Sequence, residues 1–284
     1  MRETLVNWYR AGHTYLTKKG LRYPFLKKIN GIVIQKLKSD KAVIDGHTIY
    51  LDKDDSMRLS TRGHYEPFVA DIAKKYLKEG DIVFDIGANI GYFTLLFARL
   101  VGKKGKVYAF EPNSENMRLL KKNAEANGYT NIVFVEKAVS NKNEKMKFYL
   151  SNDSSTRHSL HENEYCRSSF IEVEAVALND YFDAKQKVHF IKLDVEGAEF
   201  DALQGMSRLL QENEKITLVT EFTPDFLKNL NINPKDFINF LQENNFTLFN
   251  VNENSIDPFT LEKVSHYLKQ GTKVNMDLLC VKEE

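Results

Sequence analysis

Beyond Asp81 the chain alternates short apolar runs with longer segments whose apolar positions recur at helical spacing. Runs at 82–85, 107–111, 132–136, 190–194 and 218–221 predict β-strands, and helices are expected over 92–100, 114–127, 198–210 and 234–244. Gly128 is placed to stop the second helix, Asn233 to cap the fourth, and Pro234 to take its first turn. Strand runs that are apolar throughout bury both faces, which indicates a mainly parallel sheet between helical layers. Two more β runs, 146–150 and 170–177, interrupt the alternation between the third and fourth core strands. Runs at 247–251 and 277–281 fit a C-terminal hairpin on the sheet edge. Upstream, alternation over 42–51 around Asp45-Gly46 predicts a β-hairpin. Phe68, Val69, Ile72, Ala73, Tyr76 and Leu77 then trace a helix that Glu79-Gly80 stops.

Charge changes this picture only near the N-terminus. Residues 1–40 hold Arg2, Arg10, Lys18, Lys19, Arg22, Lys27, Lys28, Lys36 and Lys38 against Glu3 and Asp40, with Trp8, Tyr9, Tyr15, Tyr23 and Phe25 interleaved. A solvated basic helix held down by its aromatics is the plain reading; a peripheral membrane or partner contact is the sharper one. Over all 284 residues the net charge is +1, so no nucleic acid partner is expected. Cys166 and Cys280 lie far apart without metal-ligand spacing, which excludes a zinc site or disulfide framework. No apolar stretch reaches the roughly 18 residues of a membrane span, and the N-terminus lacks a secretory pattern. A cytoplasmic location is expected.

The segment IVFDIGANIGYFTLLFA reads as strand, glycine turn and helix. Such a unit binds its ligand at the strand's carboxyl end, against the helix N-terminus. A nicotinamide site wants GxGxxG, but here Asp85 occupies the first position, giving D-x-G-x-x-x-G. A carboxylate repels a pyrophosphate and suits a cation, such as the sulfonium and α-amino group of S-adenosylmethionine. Gly87 and Gly91 leave room for the backbone to wrap that ligand's methionine portion. Glu111 ends the next strand, where an acid accepts hydrogen bonds from ribose hydroxyls, and Glu136 to Ala138 end the third, beside the adenine.

Chemistry concentrates at the fourth strand, FIKLDVEGAE. Alternation puts Lys192 and Asp194 on one face, with Asp194 at the ligand end. Glu196 and Glu199 read equally well as ordinary acids of a helix N-terminus. Methyl transfer to an alcohol needs a proton acceptor, and Asp194, Glu221, His158 and His161 are the candidates. The two histidines lie in SNDSSTRHSLHENEYC, long enough for a substrate-facing loop. Asp194, Glu196 and Glu221 are compatible with a divalent metal, although nothing in the sequence requires one.

The strings YEP (65–67), FDIGANIGYFTL (84–95), AFEPN (109–113) and above all IKLDVEGAE (191–199) resemble the FkbM family of S-adenosylmethionine-dependent methyltransferases. The resemblance runs from about residue 44 to 249. It implies a class I methyltransferase Rossmann-like α/β sandwich, with a seven-stranded, mostly parallel sheet whose last strand is antiparallel. It also implies O-methylation, with Gly87, Ala88, Asn89, Gly91, Glu111 and Asn113 at the cofactor and Asp194 beside the methyl. Tyr65 and Glu66 would close over the methionine end. Residues 178–181 read Leu-Asn-Asp-Tyr where the family tends to Leu-Asp-Asp-Tyr, and IKLD stands for the commoner IKID.

The expected organisation is a basic N-terminal extension with a hairpin over 1–60 and a methyltransferase domain over 61–284. The expected acceptor is a hydroxyl of a glycan, glycolipid or secondary metabolite. A nucleic-acid methyltransferase would carry an Asn/Asp-Pro-Pro-aromatic corner where this chain has Asp194-Val195-Glu196-Gly197. A non-catalytic cofactor-binding subunit is the other alternative.

Overall fold

The computed structural model describes residues 39–151, 154–163, 166, 169–183, 185–252, 255–260, 262–263 and 275–282. The expected basic face of residues 1–40 lies outside them, save for Ser39 and Asp40. The chain divides into two units, one ending at Tyr65 and one beginning at Glu66.

In the first unit, β1 (Lys41–Ile44) and β2 (His47–Tyr50) pair antiparallel as the alternation predicts, with Ile44 opposite His47. Asp45 and Gly46 join them at φ 50° and 82°. Two left-handed residues give the turn whose twist matches paired strands, and aspartate and glycine tolerate that backbone best. A single helical turn, α1 (Leu59–Arg62), ends at Gly63.

The second unit opens with α2 (Pro67–Tyr76), which buries Val69, Ala70, Ile72 and Ala73 along one face. The chain then runs β3 (Ile82–Ile86), α3 (Tyr92–Val101), β4 (Lys106–Phe110), α4 (Ser114–Ala126), β5 (Ile132–Val135), β6 (Ala138–Val139), β7 (Lys145–Leu150), β8 (Ser169–Val176), α5 (Leu178–Tyr181), β9 (Phe190–Leu193), α6 (Glu199–Gly205) and α7 (Ser207–Glu212). It finishes with β10 (Ile216–Phe222), α8 (Pro224–Asn229), α9 (Pro234–Glu243), β11 (Thr247–Asn252), β12 (Ser255–Pro258) and β13 (Met276–Lys282). The caps behave as their chemistry dictates: Asn113 and Asn233 side chains accept from amides of the first turns of α4 and α9.

Among the described residues the main sheet has the order β12-β11-β13-β10-β9-β3-β4-β5. Strands β3, β4, β5, β9 and β10 are parallel, and β13 runs antiparallel to both β10 and β11. This is the expected class I methyltransferase sheet with its antiparallel last strand, extended by β12 to eight strands. The C-terminal runs pair with each other antiparallel as expected, but they do not form the sheet edge. β13 lies between β10 and β11, which pair with its backbone on both edges, and its Leu278, Leu279, Cys280 and Val281 are all buried. The edge goes to the short β12, which ends in Pro258 and pairs only with β11. The helix expected over 198–210 breaks at Met206 into α6 and α7. Gly205 lies so close to the chain after β6 that a Cβ there would sit 1.9 Å from the Ser140 carbonyl oxygen.

Phe84, Ile86, Phe110, Ile191, Leu193 and Leu218 of the sheet pack against Leu203, Leu209, Phe237 and Ile238 of the helices. Each such burial contributes ~1.5–3 kcal/mol, so the central strands are the rigid part of the platform. The strands step outward from β3 to β4 and β5, then the chain returns to the other side of β3 with β9 and β10. That reversal between β3 and β9 opens a crevice at the strands' carboxyl ends, the usual ligand position in an open α/β sheet. The crossover from β5 to β9 leaves this sheet to build a smaller one, ordered β6-β8-β7. No helix among the described residues is long and apolar enough to cross a membrane, and Cys166 and Cys280 are free and buried.

Candidate functional site

The glycine loop leaves β3 and is wired internally. Gly87 and Ala88 donate their amides to the Phe110 carbonyl, Asn89 to Glu111 Oε2, Ile90 to its neighbour's side-chain oxygen, and Gly91 to the Ala88 carbonyl. All five amides of 87–91 are thus spent within the protein. A pyrophosphate would find no free N–H in this loop, whereas a cation needs none. Both glycines are left-handed, at φ 83° and 93°, and both meet protein. A Cβ on Gly87 would lie 1.8 Å from the Asp194 carbonyl oxygen, and one on Gly91 would lie 2.9 Å from Leu120 Cγ. The room expected for the ligand's methionine portion is therefore also what lets β9 and α4 approach the loop. Asn123, wholly buried on α4, donates to the Ile90 carbonyl at 2.8 Å and ties the loop down from the other side.

Glu111 follows β4. Its Oε2 accepts from the Asn89 amide and its Oε1 from the Asn113 amide, both at 2.9 Å. Oε1 also accepts from the Asn116 side-chain nitrogen at 3.5 Å, while Oε2 keeps a second lone pair for a ligand hydroxyl. Asp85 is 1% exposed; Thr94 donates to its Oδ2, while Oδ1 has no partner among the described residues. An orphaned buried carboxylate oxygen beside the loop fits a cationic or hydrogen-bond-donating ligand.

Across the crevice, β9 places Lys192 level with Asp85. Lys192 Nζ lies 2.8 Å from Asp194 Oδ2 and 4.9 Å from the centre of the Phe93 ring. Asp194 donates its amide to the Ile86 carbonyl, so the carboxyl ends of β3 and β9 are joined. The chain then turns left-handed at Glu196 and Gly197, φ 53° and 102°. Glu199, first residue of α6, folds back so that its carboxylate accepts from the Val195 and Gly197 amides at 3.0 Å each.

A family model, the methyltransferase FkbM domain, matches residues 85–248. The chain belongs to the FkbM methyltransferase family. S-adenosylmethionine is its cofactor. Protein-L-isoaspartate O-methyltransferase 1 of Archaeoglobus fulgidus is 39% identical over 59 residues, 21% of this chain and 27% of that protein. The match thus spans about a quarter of that relative's length. An rRNA methylase structure from Streptococcus thermophilus is 14% identical, with a TM-score of 0.44, covering 76% of this chain and 95% of its own. A precorrin-6y C5,15-methyltransferase structure from Geobacter metallireducens is 12% identical, with a TM-score of 0.43, covering 76% and 88%.

In this FkbM chain burial raises the acids around the crevice above the ordinary carboxylate range. Desolvation pushes Asp85 up to about 6, against the pull of Lys192 and Thr94. It pushes Glu111 to about 7, although amides of Asn113 and Asn89 oppose it. Burial, then the charges of Asp194, Glu221 and Glu199, carry Glu196 to about 10. Burial likewise raises Glu199 to about 7 and Asp277 to about 6, and lifts Glu221 well above the carboxylate range. Burial alone would lower Lys192, but Asp194, Glu66 and Asp85 outweigh it and strengthen its hold on the proton. Among the described residues of the crevice, the buried Lys192 cation is paired with Asp194, amid acids whose hold on their protons burial strengthens.

One carboxylate oxygen each from Asp194, Glu199 and Glu221 lies within 4.8 Å of the other two, a set that could hold a hard divalent ion. Glu199 stands in this set where the sequence points to Glu196, while Glu196, left-handed at the corner, still feels the charges of all three acids. His158 is held away from a free proton-accepting state at one nitrogen: Nδ1 accepts from the Ser151 amide at 3.0 Å, and the ring stands edge-on to Phe148. His161 Nε2 lies 2.9 Å from Asp201 Oδ2. Glu136 is at the surface, taking the Ser114 hydroxyl and facing Lys121 at 3.9 Å, while Ala138 is buried at the start of β6. Asn113 caps α4 besides donating to Glu111. Glu66 starts α2 at φ 38° and lies near enough to Lys192 to act on its charge. Tyr65 ends the first unit. Thr94 and Glu199 lie inside strings that carry the resemblance without a site role being read from them, and Asn123 lies outside all of them; a polar residue inside an apolar helical face is the only local signal Asn123 carries.

Proposed function

We propose that this chain is an O-methyltransferase that moves a methyl group from S-adenosylmethionine to a hydroxyl of a glycan, glycolipid or secondary metabolite. When bound, S-adenosylmethionine supplies an electrophilic methyl carbon on a sulfonium. The observation that carries the reading is Asp194 at the switch point, its carbonyl against Gly87 and its carboxylate on Lys192. A hydroxyl must be held about 3–3.5 Å from the carbon it attacks and must lose its proton. In this reading Asp194 orients the hydroxyl and accepts the proton, with Lys192 holding the carboxylate in place. Burial strengthens Glu221's hold on its proton, and in this reading its carboxyl hydrogen-bonds the acceptor. His158 would assist from the strand-following loop, where its Nδ1 already accepts the Ser151 amide. Asp85, Glu111, Asn113 and the loop 87–91 hold the cofactor, with Glu66, Glu136 and Ala138 at its ends. The basic and aromatic side chains of residues 1–40 suit a peripheral membrane surface or a partner.

Calorimetric titration with S-adenosylhomocysteine beside NAD, on the wild type and Asp85→Ala, tests the cofactor assignment. Binding of S-adenosylhomocysteine alone, weakened in the variant, is expected; binding of NAD, or of neither, would sink the reading. Transfer of labelled methyl from S-adenosylmethionine to a panel of sugars and polyols then tests the acceptor. Label appearing only on amines or carboxylates would exclude the hydroxyl assignment.

A further inference from the structure

The β5-to-β9 crossover carries a short stretch, residues 154–161, that touches both sides of the switch point. On the cofactor side, Asn89 Nδ2 donates to the Ser155 carbonyl at 3.1 Å. On the acid-corner side, Ser159 Oγ donates to the Glu196 carbonyl at 2.7 Å, and His161 reaches Asp201 of α6. The stretch also has its own framework. Ser154 accepts from the Thr156 amide, Ser159 bridges to Tyr149 of β7, and Leu160 is buried with Phe148 and Val173. One segment therefore runs from the glycine loop to the acid corner, across the crevice where ligands of such sheets bind.

Asn89 is the joint on the cofactor side. It sits left-handed at φ 50°. Its amide goes to Glu111, its side-chain oxygen accepts from Ile90, and its side-chain nitrogen goes to Ser155. Any ligand that settles on Glu111 therefore bears on the residue that holds the segment.

We infer that residues 154–161 form a strap over the crevice and that Asn89 is the positioning residue that sets it, so that cofactor seated at Glu111 fixes the acceptor-facing wall before the acceptor enters. This rests on the assignment of Glu111 to the cofactor. Binding can shift the strap only if the ligand prefers one of its states, and that preference is what the Asn89 link supplies. The order of binding that follows is cofactor first, acceptor second.

Hydrogen exchange read by mass spectrometry on the full chain tests this, with S-adenosylhomocysteine as the probe and its saturation checked by calorimetry on the same samples. The strap amides of Thr156, Arg157, Ser159 and His161 are internally bonded and report its opening. They should slow about tenfold on saturation. Asn89→Asp keeps an acceptor for Ile90 and tolerates the backbone, but it removes the donor to Ser155. At saturation its strap should slow less than about twofold. Calorimetric binding with unchanged strap exchange in the wild type would overturn the inference, as would full slowing in Asn89→Asp. If that variant fails to bind the probe, the wild-type comparison decides alone. Absence of wild-type binding would instead remove the cofactor assignment, and the strap inference with it.

Discussion

Replacing Gly87 with alanine asks whether the approach of β9 to the glycine loop is as tight as the geometry requires. Two costs are readable from the structure. The residue has φ 83°, a left-handed conformation that disfavours any side chain by ~1–2 kcal/mol. The added Cβ would lie 1.8 Å from the Asp194 carbonyl oxygen and 2.9 Å from its carbon, both backbone atoms that cannot swing aside. Relieving that overlap means parting the carboxyl ends of β3 and β9, an overpacking cost of ~1–3 kcal/mol. The sum is about 2–5 kcal/mol. Gly128→Ala is the matched control, since Gly128 is left-handed at φ 71° with nothing within 4 Å of an added Cβ. It should lose the backbone cost alone. Urea unfolding followed by circular dichroism measures both, and calorimetry with S-adenosylhomocysteine should show that Gly87→Ala also weakens binding. A Gly87→Ala midpoint no lower than that of Gly128→Ala would refute the steric argument.

Asp194→Asn should lower turnover by about 10²-fold or more while changing S-adenosylhomocysteine affinity far less; equal losses in both would count against its proton-accepting role. Glu199→Gln places an amide NH₂ among the Val195 and Gly197 donors that the carboxylate now accepts, and should cost about 1–3 kcal/mol in urea unfolding. A change within error would show that the corner holds without it. The pH dependence has a definite sign. Asp85, Glu111, Glu199 and Glu196 have folded-state values of about 6, 7, 7 and 10, all above the unfolded carboxylate range near 4. Each binds a proton in the folded state that the unfolded chain has released. Their contribution is full below about pH 4 and is lost as pH rises through 6–7, and through 10 for Glu196. Unfolding free energy should fall by about 1.4 kcal/mol per pH unit for each retained proton. Urea midpoints at several values between pH 5 and 8 that stay level or rise would contradict this.

Much of the framework was legible in the chain because its signals are local. Apolar runs bounded by glycine and acid located the parallel strands, and Asn113, Asn233 and Pro234 marked helix starts through bonds made within a few residues. The motif D-x-G-x-x-x-G pointed to a cation site, since the chemistry of a carboxylate travels with the residue. The place of the last strand was different. Whether 277–281 lies at an edge or inside depends on which strand covers each face, and β12 took the edge.

What the sequence by itself determined, then, is which residues carry charge, which runs must be buried, and where the backbone turns. What only the tertiary structure decided is which of those charges meet. Lys192 and Asp194 are two residues apart, and strand alternation alone puts them on one face, but their environment comes from Asp85 and Glu66 on other elements. Glu199 joined Asp194 and Glu221 because its carboxylate folds back onto the Val195 and Gly197 amides. Asn89 and Ser155 are 66 positions apart, and no local pattern links them. Burial then changed the acids themselves, since desolvation acts through everything packed around a group and is not a property of any stretch of sequence.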